Sequence, residues 1–148
     1  MHFIFIVNDI QLEKSNIDAF EISSLLLSKE TWLYSPLTYN LKRIKPGDMV
    51  LLYLAGEGRR CFTASFEIAE NIRENTLEIN GEAKLLNDFY PLATKIKNIN
   101  QFRKPVKITA VKEQLNFIKD KKNYGLFFRQ ATKLIEEEDF NFIISSAK

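Results

Sequence analysis

The sequence predicts a single α+β domain over residues 1–148, and three observations predict it. Two apolar, alternating runs flank Gly56-Glu57-Gly58 across residues 49–70 in the manner of a β-hairpin. Further strand-like runs stand at residues 2–7, 91–99 and 104–111, for about five to six strands in all. Helical spacing is confined to residues 15–30 and to the C-terminal stretch from Phe127 onward, at the flanks of the strands. A chain of 148 residues that is 45% hydrophobic fits one compact unit around one core.

Each element has a local reason. His2-Phe3-Ile4-Phe5-Ile6-Val7 is an unbroken apolar run, too short for a helix and matched to a strand buried on both faces. Ser15 followed by Asp18 resembles a capping box, and Ile17, Phe20, Leu25, Leu26 and Leu27 supply a helical stripe that leaves at Lys29-Glu30. Trp32, the sole tryptophan, is read as a loop residue. Pro46-Gly47 suits the centre of a type II turn, since proline presets the first φ and glycine accepts a positive second φ. In the hairpin that follows, Phe62, Ala64, Phe66 and Ile68 alternate with Thr63, Ser65 and Glu67. Residues 71–88 are loosely specified. At the end, Phe127, Ala131, Leu134 and Ile135 keep helical spacing, and Glu136-Glu137-Glu138-Asp139 opens a second helix bearing Phe140, Ile143 and Ile144, as a solvated, dipole-favoured terminus.

Composition narrows the function. Cys61 has no second cysteine to pair with, no leader pattern opens the chain and no apolar run approaches the ~20 residues that span a bilayer, so a cytoplasmic protein without a membrane partner is expected. Net charge is +2, but residues 92–122 hold nine Lys/Arg against Glu113 and Asp120, a local +7 that faces a polyanion or serves solubility. The only histidine is His2, and no zinc cluster, calcium loop or glycine-rich phosphate loop occurs. No cofactor, metal or catalytic residue is therefore assigned, and Cys61 reads as an inert strand residue. A lone tryptophan among amide and basic side chains points instead to a slot for a flat ring, and a nucleobase is the ring such a chain meets most often.

Trp32, Asn40 eight positions later, Leu41, Arg43 and Pro46-Gly47-Asp48 ahead of an apolar strand resemble the EVE domain. Leu126-Phe127-Phe128-Arg129-Gln130, then Ile135, Glu137-Glu138-Asp139-Phe140 and Ile143, is similar to the closing pattern of that family, and Asn8 stands where its members carry a polar residue after the first strand. The resemblance spans nearly the whole chain. It implies a PUA-like fold, a bent mixed β pseudo-barrel with helices around it, and kinship with YTH domains. It also implies a non-enzymatic reader of a modified base in RNA or DNA. Carried onto this sequence, it makes Trp32 the stacking wall, with Asn40 and Asn8 as amides reading the base edge. Arg129 and Gln130 take the rim or a flanking phosphate, and Tyr39, Arg43 and Phe128 complete the ligand set, with Phe128 a candidate second wall. Tyr53 is a weaker aromatic candidate. The backbone contacts fall to Lys95, Lys97, Arg103, Lys104, Lys107, Lys121 and Lys122.

His2-Phe3 replaces an aromatic-Trp pair common on the family's first strand, and Leu33-Tyr34 follow the tryptophan where some members have a glycine, so the modification read stays open. The Gly-x-Lys-x-x-Glu-x-Arg motif of the related ASCH branch is absent. Two other functions are weighed. A small hydrolase of modified nucleosides or nucleotides would use Asp48 or Glu67 as base, and a protein-interaction module would dock a partner at Trp32. The oligomeric state is not legible.

Overall fold

The computed structural model describes residues 1–148, the side chain of Glu82 excepted. Its centre is β1 (His2–Val7), paired in parallel with β5 (Met49–Leu54) and antiparallel with β9 (Thr132–Ile135). Beyond β5 follow β6 (Cys61–Ile68), β8 (Leu92–Lys107) and β4 (Thr31–Tyr34), giving the order β4-β8-β6-β5-β1-β9, with the two-residue β7 (Arg73–Glu74) also paired to β8. Two short strands, β2 (Ile10–Gln11) and β3 (Asn16–Ile17), form a separate hairpin.

Period-two geometry explains the apolar run at the start. Phe3, Phe5 and Val7 join Val50, Leu52, Leu54, Ala64 and Phe66 in one core, whereas Ile4 and Ile6 join Leu51, Tyr53 and Phe62 in another on the opposite face. With both faces covered, β1 has no polar position after His2. The first core lies inside a curl of the sheet. Trp32 of β4 and Phe5 of β1 are four strands apart, about 19 Å in a flat sheet at ~4.8 Å per step, yet their ring centroids are 5.9 Å apart. The sheet is therefore curled into a half-barrel. Register shifts at Leu52/Tyr53, Phe62/Ala64 and Ser65/Glu67 mark where β5 and β6 bend against their partners.

Helix α1 (Ala19–Ser28) covers the inner core with Ile22, Leu26 and Leu27, and α4 (Glu137–Ser146) covers the outer one with Phe140 and Ile143. Single helical turns form α2 (Leu86–Phe89) and α3 (Ile108–Val111). The turn at Pro46-Gly47 is as expected: Gly47 has φ +92° and the Asp48 N–H reaches the Lys45 carbonyl at 3.1 Å.

Several sequence expectations are corrected. Ser15 caps nothing; Asn16 and Ile17 belong to β3, and Asp18 is itself the N-cap of α1, accepting the Phe20 N–H at 2.6 Å. Trp32 is a strand residue, not a loop residue, in register with Thr94. The two strands expected at 91–99 and 104–111 are one bent strand, β8, in which Pro105 falls in the irregular stretch between the register pairs Ala64↔Gln101 and Phe62↔Val106, where no ladder N–H is required of it. Residues 108–111 are helical. The helical spacing of Phe127, Ala131, Leu134 and Ile135 is coincidental, for Phe127 sits in a 3-10 turn (Tyr124–Phe128) and Leu134 and Ile135 in β9, where pairing with β1 outweighs local pattern. Asp139 is no solvated acid: it is 1% exposed and accepts the N–H groups of Asn116 and Phe117 at 2.9 and 3.0 Å.

Candidate ligand pocket at the mouth of the half-barrel

The last rung joining β1 and β5 runs from the Ala55 N–H to the Val7 carbonyl at 2.9 Å. Past it the apolar strand becomes Asn8-Asp9, and both side chains border a cavity of about 270 Å³. Around it stand Ile22 of α1, Trp32 to Tyr34 of β4, Thr38 in the following loop, Tyr90 ahead of β8, and Arg129 with Ala131 and Thr132 at the start of β9.

The indole of Trp32 is 7% exposed, tilted against Phe66 at 5.4 Å and Phe5 at 5.9 Å between centroids. Core packing on one side fixes the ring that the cavity meets on the other. Tyr34 is buried more deeply, its hydroxyl bonded to Thr94 Oγ1 at 2.8 Å, and burial drives its phenol well above the ordinary range. It is a neutral wall. Tyr90 is half-buried, and burial raises its phenol too, so it meets a ligand as a neutral hydroxyl.

Asp9 is held from two directions. Its Oδ1 accepts the Ala19 N–H at 2.7 Å and the Arg59 Nη2 at 2.8 Å. The backbone hydrogen bond first, and the guanidinium second, hold this carboxyl below the usual aspartate value against the opposing effect of burial. At neutral pH the cavity therefore contains a fixed anion. Arg59 is itself anchored by Nε to the Ala55 carbonyl at 2.8 Å and lies 3.5 Å from Asp18 Oδ2. The path is open because residue 56 is glycine, at φ +104°: a Cβ there would collide with the Arg59 guanidinium.

Of the residues named from sequence, Asn8, Trp32 and Arg129 share this cavity. Asn40 and Tyr39 do not line it, and touch it only through Thr132, which does. The Asn40 amide donates to Thr132 Oγ1 at 3.4 Å, and the Thr132 hydroxyl donates to the Tyr39 carbonyl, so the pair ties the 35–40 loop to β9. Asn40 also precedes the 3-10 turn Leu41–Arg43, in a left-handed conformation and without a side-chain cap bond. The Tyr39 ring is exposed, as are Arg43 and Gln130, and none of the three lines the cavity. Phe128 is not brought here: it stacks on Tyr53 at 4.1 Å in the outer core, on the opposite face of the sheet.

The basic residues are similarly dispersed. Lys95 and Lys97 lie where β8 meets β4 and the end of β6, with Lys97 3.4 Å from Glu67, while Arg103, Lys104 and Lys107 lie toward the other end of β8. A straight strand from 95 to 107 would span about 40 Å. Lys121 donates to the Leu115 carbonyl at 2.6 Å, and Lys122 borders a different cavity. Both acids considered as bases are committed away from the pocket. Asp48 accepts the Lys45 N–H and the Met1 amino group, each at 2.8 Å, and Glu67 accepts from Asn98 at 3.0 Å.

Sequence reasoning missed Asp9, Thr38 and Tyr90. For Asp9 a signal existed, since two polar residues directly after a fully buried strand mark the point where the chain leaves the sheet. For Tyr90 none did, because the segment before it shows no periodicity.

A UPF0310 protein of Pyrococcus abyssi is 30% identical over 117 residues, 71% of this chain and 77% of that protein. Among solved structures, human THYN1 in complex with 5-methylcytosine-containing DNA superposes with TM-score 0.67 at 16% identity, covering 99% of this chain and 97% of that one. The YTH domain of Zygosaccharomyces rouxii MRB1 in complex with N6-methyladenosine RNA superposes with TM-score 0.60 at 18% identity, covering 99% and 87%. The half-barrel is thus the PUA-like fold that the sequence resemblance implied. The EVE domain model matches residues 12–146, from just past β1 and β2 to the end of α4, and the chain belongs to the EVE domain family.

Proposed function

We propose that this protein binds nucleic acid and receives one modified nucleobase, without chemical turnover, in the pocket beside Trp32. The observation that carries the reading is the convergence of a fixed indole, the Asn8 amide and the ionised Asp9 carboxylate on one cavity of about 270 Å³, with the Arg129 guanidinium on its border. That volume lies just below the ~300–1,000 Å³ of pockets for larger organic ligands and suits a single ring system. A base taken out of its stack recovers about 1–3 kcal/mol against an aromatic face, and its polar edge needs fixed partners. Asn8 offers both a donor and an acceptor, and Asp9 offers an acceptor only. Arg129 serves the flanking phosphate.

Two structures of the same fold hold modified nucleic acid, 5-methylcytosine-containing DNA in human THYN1 and N6-methyladenosine RNA in the Zygosaccharomyces rouxii YTH domain, and they support this reading. The two acids named for the hydrolase alternative, Asp48 and Glu67, lie away from the pocket, and the carboxylate that does border it, Asp9, is engaged by the Ala19 N–H and Arg59. His2 packs against Phe140, centroids 4.9 Å apart, over the outer core. The test is a titration with short DNA and RNA strands bearing methylated, hydroxymethylated or thiolated bases, beside unmodified controls, followed by Trp32 fluorescence at two salt concentrations. Quenching that depends on the modification and persists at higher salt is expected. Equal, weak binding of every strand that disappears with salt would refute a base pocket.

A further inference from the structure

A second cavity, about 370 Å³, opens on the face of the sheet opposite Trp32, where the β5–β6 loop meets the 122–128 segment. Arg60 and Lys122 line it, none of its lining residues is acidic, and neither cation meets a carboxylate among the described residues. Lys112 brings a third positive charge, its Nζ 5.0 Å from the centre of the Tyr124 ring. Uncompensated charges gathered at a concave surface attract an anion.

A buried phenol gives the cavity its second feature. Tyr53 is 2% exposed as a whole and lines the cavity, and its hydroxyl, which has no protein partner among the described residues, is not sealed from solvent. An accessible hydroxyl with no protein partner is free to donate to a group that enters the cavity. Phe128 stacks on the Tyr53 ring at 4.1 Å and 18°, which fixes where that hydroxyl lies. Burial keeps the phenol protonated, and therefore a donor, at any physiological pH. The Arg60 backbone is held in place, left-handed at φ +52° with its carbonyl accepting the Ile108 N–H at 3.0 Å, and its exposed side chain extends from there.

We propose that this second cavity binds the phosphate of a nucleotide, with Arg60 and Lys122 taking the anion, the Tyr53 hydroxyl donating to it and Tyr124 offering an aromatic face to the attached sugar or base. The inference is independent of the base pocket. Arg59 and Arg60, adjacent in the loop, serve different cavities, the first holding Asp9 and the second lining this one.

One phosphate chemistry has two sources, a free nucleotide or the backbone of a strand, and the experiment separates them. The full chain is titrated by calorimetry with adenosine 5′-monophosphate and, separately, with an unmodified single strand of about ten nucleotides. Arg60→Gln and Lys122→Gln alter exposed side chains and leave the thermal transition in place. Each is expected to weaken binding about tenfold, and Tyr53→Phe about threefold or more. Asn8→Ala, in the other pocket, leaves mononucleotide binding unchanged. Binding of the mononucleotide assigns a free nucleotide. Binding of the strand alone, with a salt slope about 1.4 shallower in the Arg60→Gln/Lys122→Gln double variant, assigns a strand backbone. Failure of both probes to bind, or binding that the double variant leaves intact, overturns the proposal.

Discussion

Arg59 and Asp9 meet at 2.8 Å, a contact that joins the β5–β6 hairpin to the end of β1 and orients the one carboxylate bordering the Trp32 pocket. The two residues are fifty positions apart in sequence. Their pairing depends on three further facts: the Ala55 carbonyl holds Nε, Gly56 leaves the path clear, and the Ala19 N–H takes the same carboxylate oxygen. A turn, a helix start and a pocket wall are thus one assembly.

Arg59→Met keeps most of the aliphatic stem and removes the charge. The remaining Asp9 loses a half-buried partner but keeps the Ala19 N–H, so the expected loss is about 1–2 kcal/mol in denaturant unfolding rather than collapse of the fold. Affinity for a modified strand should fall further than stability predicts, because Asp9 is then free to turn. Equal affinity in the variant and the parent would show that Asp9 does not touch the base.

Acid should weaken the same assembly. The folded value of Asp9 lies below its unfolded value, so its contribution is present above about pH 4 and is lost as pH falls through the lower, folded value. Asp9→Asn is expected to flatten the acid limb of the stability–pH curve below about pH 4 and to leave stability near neutrality reduced by a constant amount. Parallel curves for the two proteins would contradict this.

Gly56→Ala tests the path of the guanidinium. The glycine lies at φ +104°, where a side chain strains the backbone, and the new methyl would displace Arg59. The expected result is about 1–3 kcal/mol of destabilisation, with a loss of ligand affinity matching that of Arg59→Met. Adding Gly56→Ala to Arg59→Met should then cost less than Gly56→Ala does alone, since part of the clash has gone.

Trp32 is both core and pocket wall, which changes what its replacement can report. Trp32→Ala removes an indole packed on Phe5 and Phe66 and is expected to cost about 3–5 kcal/mol, so lost binding in that variant says nothing about the pocket. Trp32→Phe retains a ring and most of the packing. It should stay folded with a cost of about 1–2 kcal/mol and still lose base affinity, measured at a temperature well below its unfolding transition.

How far the sequence spoke for this arrangement depended on the range of each interaction. The β5–β6 hairpin and the Pro46-Gly47 turn were legible because turn chemistry and alternation act within a few residues. Strand β9 was not. Leu134 and Ile135, which share helical spacing with Phe127 and Ala131, fall in a strand only because β1 presents an open edge, a contact 133 residues away in the pairing of His2 with Ile135. At the pocket, the tryptophan and Asn8 stood out as residue types, whereas Phe128 was misplaced because a pattern tells that a ring is buried and not on which face. Asp9 gains its role from Arg59 and Ala19, and no local spacing encodes that meeting.

Leu37 is 93% exposed, next to Thr38, which borders the pocket. A single exposed leucine is ordinary in itself, but at the mouth of a base pocket it stands where proteins that deform a duplex insert an apolar wedge between base steps. If the modified base enters the pocket from double-stranded DNA, Leu37→Ser should weaken binding to a duplex by about tenfold, the share of the unstacking cost that the leucine offsets. The same variant should bind a single strand bearing the same modification as the parent does, since no stack is broken. Stability should be unchanged, because the side chain contacts solvent. The ratio of duplex to single-strand affinity, measured by anisotropy for parent and variant, decides it: an unaltered ratio excludes a wedge and leaves Leu37 as an exposed loop residue.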